Sequence, residues 1–177
     1  MFPASRPFAV GVLALLVGLS LASTAAASPT PSATAFFGLV GNWLGEGGTS
    51  DKGRQTPLTL RLECEKVSDG RAVLCRMDGR DQGGNLVLSE TDLFGVDPVT
   101  GTGHWYAVSN AGETHDHLVK WRNPDTLLAS LNWQQEGKEM AENVVLDLSS
   151  ASYLNIRSIV SADGVEVAEF TGSFRQQ

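Results

Sequence analysis

The chain has 177 residues, 42% of them apolar and 19% charged, with 19 glycines and 7 prolines, a composition that fits a folded domain and excludes collagen-like, coiled-coil and disordered classes. Lys plus Arg (13) against Asp plus Glu (20) leaves a net charge of −7. Such a chain has no general attraction to phosphate backbones or anionic lipid, so neither nucleic acid nor a membrane surface is an expected partner.

Residues 1–27 carry Arg6, an apolar run from Phe8 to Leu21 and then Ala25-Ala26-Ala27, the charged, hydrophobic and small-residue order of a secretory signal peptide. The apolar run is shorter than the roughly 20 residues that cross a bilayer, so cleavage after Ala27 is expected rather than anchoring. That makes the protein exported, periplasmic or extracellular. Residues 28–37 are rich in Ser, Pro, Thr and Ala and end on Phe36 and Phe37, which predicts a tether finishing in a short helical turn. The domain proper is expected over 38–177.

From there on, short alternating runs recur between Gly, Asp, Asn and Pro punctuation, with no sustained 3.6-residue spacing. Strands are predicted near 39–46, 56–67, 71–81, 84–95, 102–109, 113–121, 125–134, 138–148, 152–161 and 165–175. The fold class is therefore all-β, an antiparallel up-and-down meander of about ten strands, which removes its own edges by closing into a barrel. A membrane barrel alternates in the same way. Short loops at both ends, a terminal Phe174-Arg175-Gln176-Gln177 and the absence of a clean aromatic girdle favour the soluble form.

Both cysteines, Cys64 and Cys75, lie in this exported chain, where disulfides persist. Leu58, Leu60, Leu62 and Cys64 alternate with polar residues, and Asp69-Gly70 follows as a hairpin turn. Folding the chain back there sets Cys64 opposite Cys75, Glu63 opposite Arg76 and Arg61 opposite Asp78, so a staple across the hairpin is the favoured reading over two unbonded thiols.

At the first strand the residues read Gly41-Asn42-Trp43-Leu44-Gly45-Glu46-Gly47, which resembles the nitrobindin-like and lipocalin-like barrels of the calycin group. The resemblance implies a calycin-like barrel in which Trp43 plugs one end, Gly41, Gly45 and Gly47 allow close backbone approach, and Arg175 of the last strand packs its cation over the indole. Haem-holding nitrobindins use a histidine near the C-terminal strands. No histidine follows His117, so neither haem nor another cofactor is expected. The run from Phe94 to Gly101 followed by His104-Trp105-Tyr106 is more like uncharacterised members of the group, whose activity the resemblance does not supply.

The three histidines, His104, His115 and His117, fall on two consecutive strands around Asn110-Ala111-Gly112. His115 and His117 share a face. A three-residue loop pairs Ser109 with Glu113 and sends His104 to the opposite face; a two-residue loop would gather all three imidazoles as for zinc. Asn-Ala-Gly fits the longer loop, and no metal site is assigned. Of the tryptophans, Trp121 shares the face of His115 and His117, and with Trp105 and Trp133 it can wall a pocket. The acidic pairs Glu63/Glu65 and Glu139/Glu142 read as solvated charge. No nucleophile elbow, phosphate loop or His-Glu-x-x-His pattern occurs. The expected function is binding of a small apolar or planar molecule at His104, His115, His117, Trp105, Trp121 and Trp133 without catalysis. The rivals are a hydrolase or isomerase using His115 or His117 as general base beside Asp116 or Glu113, and a structural barrel with a filled lumen.

Overall fold

The computed structural model describes residues 33–177; the expected signal peptide over 1–27 and half of the tether expected over 28–37 lie outside them. Ten strands follow in order: β1 (Gly41–Asp51), β2 (Arg54–Val67), β3 (Ala72–Arg80), β4 (Leu86–Val96), β5 (Gly103–Ser109), β6 (Thr114–Asn123), β7 (Thr126–Gln135), β8 (Lys138–Ser150), β9 (Tyr153–Ala162) and β10 (Val165–Gln176). Each pairs antiparallel with its neighbours in the chain, and β1 also pairs with β10, so the sheet closes into a barrel. Lys52-Gly53, Glu136-Gly137 and Asp163-Gly164 reverse the chain with positive φ at both residues, which matches the twist of the flanking strands. The first strand runs on to Asp51, five residues past its expected end, because Gly47 to Asp51 keep pairing with β2 on one side and β10 on the other.

The hairpin register around Asp69-Gly70 is the expected one: Cys64 faces Cys75, Glu63 faces Arg76 and Arg61 faces Asp78. The cysteines form a disulfide with their Cα atoms 4.1 Å apart. The charged side chains pair differently from the backbone. Arg61 reaches Glu63 on its own strand, and Arg76 reaches Glu65 at 3.8 Å.

Alternation along the strands turns Leu58, Leu60, Leu62, Val73, Met77, Val119, Leu127, Val144 and Leu146 inward, all buried. Arg61, Glu65, Arg76, Lys120 and Arg157 stand exposed between them. That charged outer wall is the reverse of a lipid-facing barrel surface. Among the described residues no helix is long and apolar enough to cross a membrane.

One end of the barrel is plugged. The short 3-10 helix Ala33–Leu39 has about three residues per turn, so Phe36 and Leu39 fall on one face, and both are fully buried in the core. Phe36 packs against Phe94 and Trp121 with ring centroids 5.5 and 5.7 Å apart. Trp43 is buried in the same core and donates its indole N–H to the Leu39 carbonyl at 2.8 Å, tying strand to plug.

Candidate functional site

Opposite the plug, the barrel opens into a cavity of about 390 Å³. Its apolar wall includes Leu62, Met77, Phe94, Trp105, Trp133 and Ile156. The same alternation that builds the core brings Glu90 and Asp92 of β4, His115 and His117 of β6, Glu142 of β8 and Ser158 of β9 onto the inner face. Asp51, Glu113 and Glu169 join the lining.

These polar groups form one connected network. His117, only 2% exposed, holds its Nε2 2.8 Å from Glu142 Oε2, and His115 Nδ1 lies 3.2 Å from the same oxygen. The Ser158 hydroxyl donates to the other carboxylate oxygen, Oε1, at 2.6 Å. The far nitrogen of His117, Nδ1, faces the Trp105 carbonyl oxygen at 3.4 Å. Trp105 lies against the His117 ring with centroids 4.9 Å apart and donates its indole N–H to buried Asp92 at 2.7 Å. His115 packs against Trp133 at 5.4 Å.

Burial acts to raise the Glu142 carboxyl, but hydrogen bonds from His117 and Ser158 and the charges of the two imidazoles outweigh it and hold the group below its ordinary value. Glu90 has no such donors. Burial, reinforced by the charges of Glu142 and Glu113 and only partly offset by His117, pushes its carboxyl up to about 7. Asp92 is driven well above the usual carboxylate range by burial and by Glu90, against the hydrogen bond from Trp105.

The loop after β5 is the three-residue form: Ser109 N–H donates to the Glu113 carbonyl at 3.0 Å, and Trp105 faces His117 across the ladder. His104 therefore stands on the outer wall, 2.9 Å from Asp116 and stacked on Tyr106, and does not join the other two imidazoles. Trp105, Trp133, His115 and His117 line the cavity. Trp121 faces inward too, but it sits deeper, against the Phe36 plug. Its buried indole N–H has no hydrogen-bond partner.

Arg175 does not cover Trp43. It lies opposite Leu44 on the outward parity and stacks over Tyr153 at 5.2 Å. A cation does reach the plug, but it comes from β2, where Lys66 lies 4.0 Å over the Phe37 ring. Gly45 and Gly47 do allow close approach, to β10 rather than to the indole: a Cβ there would fall 2.3 Å from the Ser173 carbonyl oxygen and 2.0 Å from that of Thr171. Gly41 has φ +142°, which also favours glycine.

Glu142 is the residue that sequence reasoning misplaced. Its side chain is 14% exposed inside the barrel, not solvated outside it. Glu90 and Asp92 were not singled out either. The signal was present: Glu142 stands two and four residues before Val144 and Leu146, and Glu90 and Asp92 share the parity of Phe94, so period-two alternation turns all three inward.

No family model and no curated protein matches the chain. Its fold is similar to that of Rv2717c from M. tuberculosis, with a TM-score of 0.64 and 16% identity over 83% of this chain and 98% of that one. It is also similar to the S-type phycobiliprotein lyase CPES from Guillardia theta, with a TM-score of 0.56 and 11% identity over 83% and 93%. Both neighbours are ten-stranded antiparallel barrels of the calycin-like type.

Proposed function

We propose that this is an exported, nitrobindin-like barrel that binds a small molecule with an apolar or planar body and a cationic or donor-rich end, without transforming it. The observation that carries this is the sign of the lining. Apart from the imidazoles, every ionisable side chain that the cavity presents is an acid, those of Asp51, Glu90, Asp92, Glu113, Glu142 and Glu169, with Glu90 and Asp92 held toward their neutral, hydrogen-bond-donating form, and no Lys or Arg stands among them. The low-dielectric walls focus the field of the ionised carboxylates, so a cation is drawn in and an anion repelled. The apolar wall of Phe94, Trp105 and Trp133 supplies the area that a flat ligand covers.

Among the described hydrogen bonds none joins a hydroxyl to an imidazole, as an activated nucleophile would need. Ser158 donates to Glu142 rather than to an imidazole, and Asp116, a rival partner for a histidine base, pairs with His104 on the outer wall. The phycobiliprotein lyase shows that a barrel of this topology can carry an activity, but the likeness reaches only the fold.

Fluorescence titration with two aromatic dyes tests the reading. Cationic aminoacridine should bind and quench tryptophan emission, while anionic anilinonaphthalenesulfonate should bind at least about tenfold more weakly, a difference of about 1.4 kcal/mol. Ile156→Trp, which fills the lumen, should abolish the cationic signal. Equal binding of both dyes, or a signal that survives Ile156→Trp, would overturn it.

A further inference from the structure

We infer that His115, His117 and Glu142 form a binding site for one divalent transition-metal ion of the zinc class, with an open coordination position facing the cavity. Gathering all three histidines would have needed the short loop, and the long loop sends His104 outside. The third ligand comes instead from β8. The two imidazoles and the Glu142 carboxylate offer ligand atoms that all lie within 4.8 Å of one another. Two nitrogens converge on the single oxygen Oε2 at 2.8 and 3.2 Å, close to the roughly 3.3 Å edge of a tetrahedron built on metal–ligand bonds of about 2.0 Å. Two histidines and a carboxylate with free positions are a donor set that zinc and its first-row neighbours accept.

A second, independent set of observations lies behind the ligands. Histidines that bind metals donate their other ring N–H to a carbonyl or carboxylate, and ligating carboxylates are themselves hydrogen-bonded. Here the far nitrogen of nearly inaccessible His117 faces the Trp105 carbonyl, and the free oxygen of Glu142 accepts the Ser158 hydroxyl. Trp105 is in turn held through its indole N–H by Asp92. Each of these partners fixes a ligand's orientation without occupying the point where the ligands meet. The cavity leaves the remaining coordination positions reachable by a donor atom from a ligand.

Untagged, disulfide-bonded protein is stripped with chelator, then titrated with zinc by calorimetry and with cobalt(II) by visible absorption. One equivalent of zinc should bind per chain, and cobalt should give the intense visible bands of a four- or five-coordinate site. His115→Ala and Glu142→Gln should each weaken zinc by more than about 100-fold and Ser158→Ala by about tenfold, while His104→Ala on the outer wall should leave affinity unchanged. His115 is half-buried and Glu142→Gln preserves shape, so neither variant removes the buried His117 itself. Absence of stoichiometric uptake of either ion by the folded protein, or uptake undiminished in both His115→Ala and Glu142→Gln, would overturn the assignment. Dye binding is measured on the metal-free protein, so its failure and the failure of metal uptake are separate results.

Discussion

Replacing Glu90 by Gln should make the metal-free protein more stable in alkaline solution and leave it unchanged in acid. Glu90 carries a pKa of about 7 in the fold against 4.5 for an unperturbed glutamate, because burial and the neighbouring carboxylates Glu142 and Glu113 disfavour its charge. A folded value above the unfolded one means that the fold prefers the protonated form. The stability this contributes is complete below the unfolded value and is lost as pH rises through the folded one. The gap, about 7 minus 4.5, is about 2.5 units. At about 1.36 kcal/mol per unit this sets a ceiling of about 3 kcal/mol, which solvent entering the open mouth lowers by screening. Gln keeps the shape and never ionises. Urea denaturation in chelator at about pH 3.5 and about pH 8.5 should show the two proteins within error at the lower pH and the variant ahead by about 1 to 3 kcal/mol at the higher. The same increment at both pH values, or a variant less stable at high pH, would refute the buried-charge argument. Glu142 works in the opposite sense, since its lowered value contributes stability above the unfolded value that is lost as pH falls.

Trp43→Ala should cost about 3 to 5 kcal/mol in the same assay, because it removes a buried aromatic and orphans the Leu39 carbonyl; a near-neutral result would detach the tryptophan from the plug. Reducing the Cys64–Cys75 bond should lower stability by no more than about 3 kcal/mol, since the loop it closes spans a sequence separation of only 11; a larger loss would mean that the bond does more than tether its hairpin.

What could be read in advance was whatever period-two alternation and turn chemistry determine. One turn, Asp69-Gly70, set the register that joins the cysteines, and one left-handed residue, Gly112 at φ +83°, set the parity that separates His104 from His115 and His117. The acidic interior was harder to see. A carboxylate costs several kcal/mol to bury unpaired, so the ordinary expectation turns Glu142 toward water. That expectation fails where imidazoles and a hydroxyl meet the carboxylate inside, and those partners stand 25, 27 and 16 residues away on other strands. Arg175 failed for the opposite reason. The likeness to calycin barrels suggested a contact, while simple parity with Leu44 already pointed the side chain outward.

The seam between β1 and β10 governs how the chain can reach this structure. Every other strand pair joins neighbours across a short connection, and only this one unites residues as distant as Trp43 and Gln176. Contacts of such separation carry the largest loop-closure entropy and form late. Until β10 arrives, the glycine-rich β1 offers an unpaired edge to any other extended chain, the arrangement that promotes intermolecular sheet growth. The nine local hairpins can therefore assemble quickly, while the closing seam limits both the folding rate and the yield of monomer. Hindering its formation, for instance with Gly47→Ala, whose Cβ the closed seam cannot take without shifting away from the Thr171 carbonyl, should divert the chain toward aggregates.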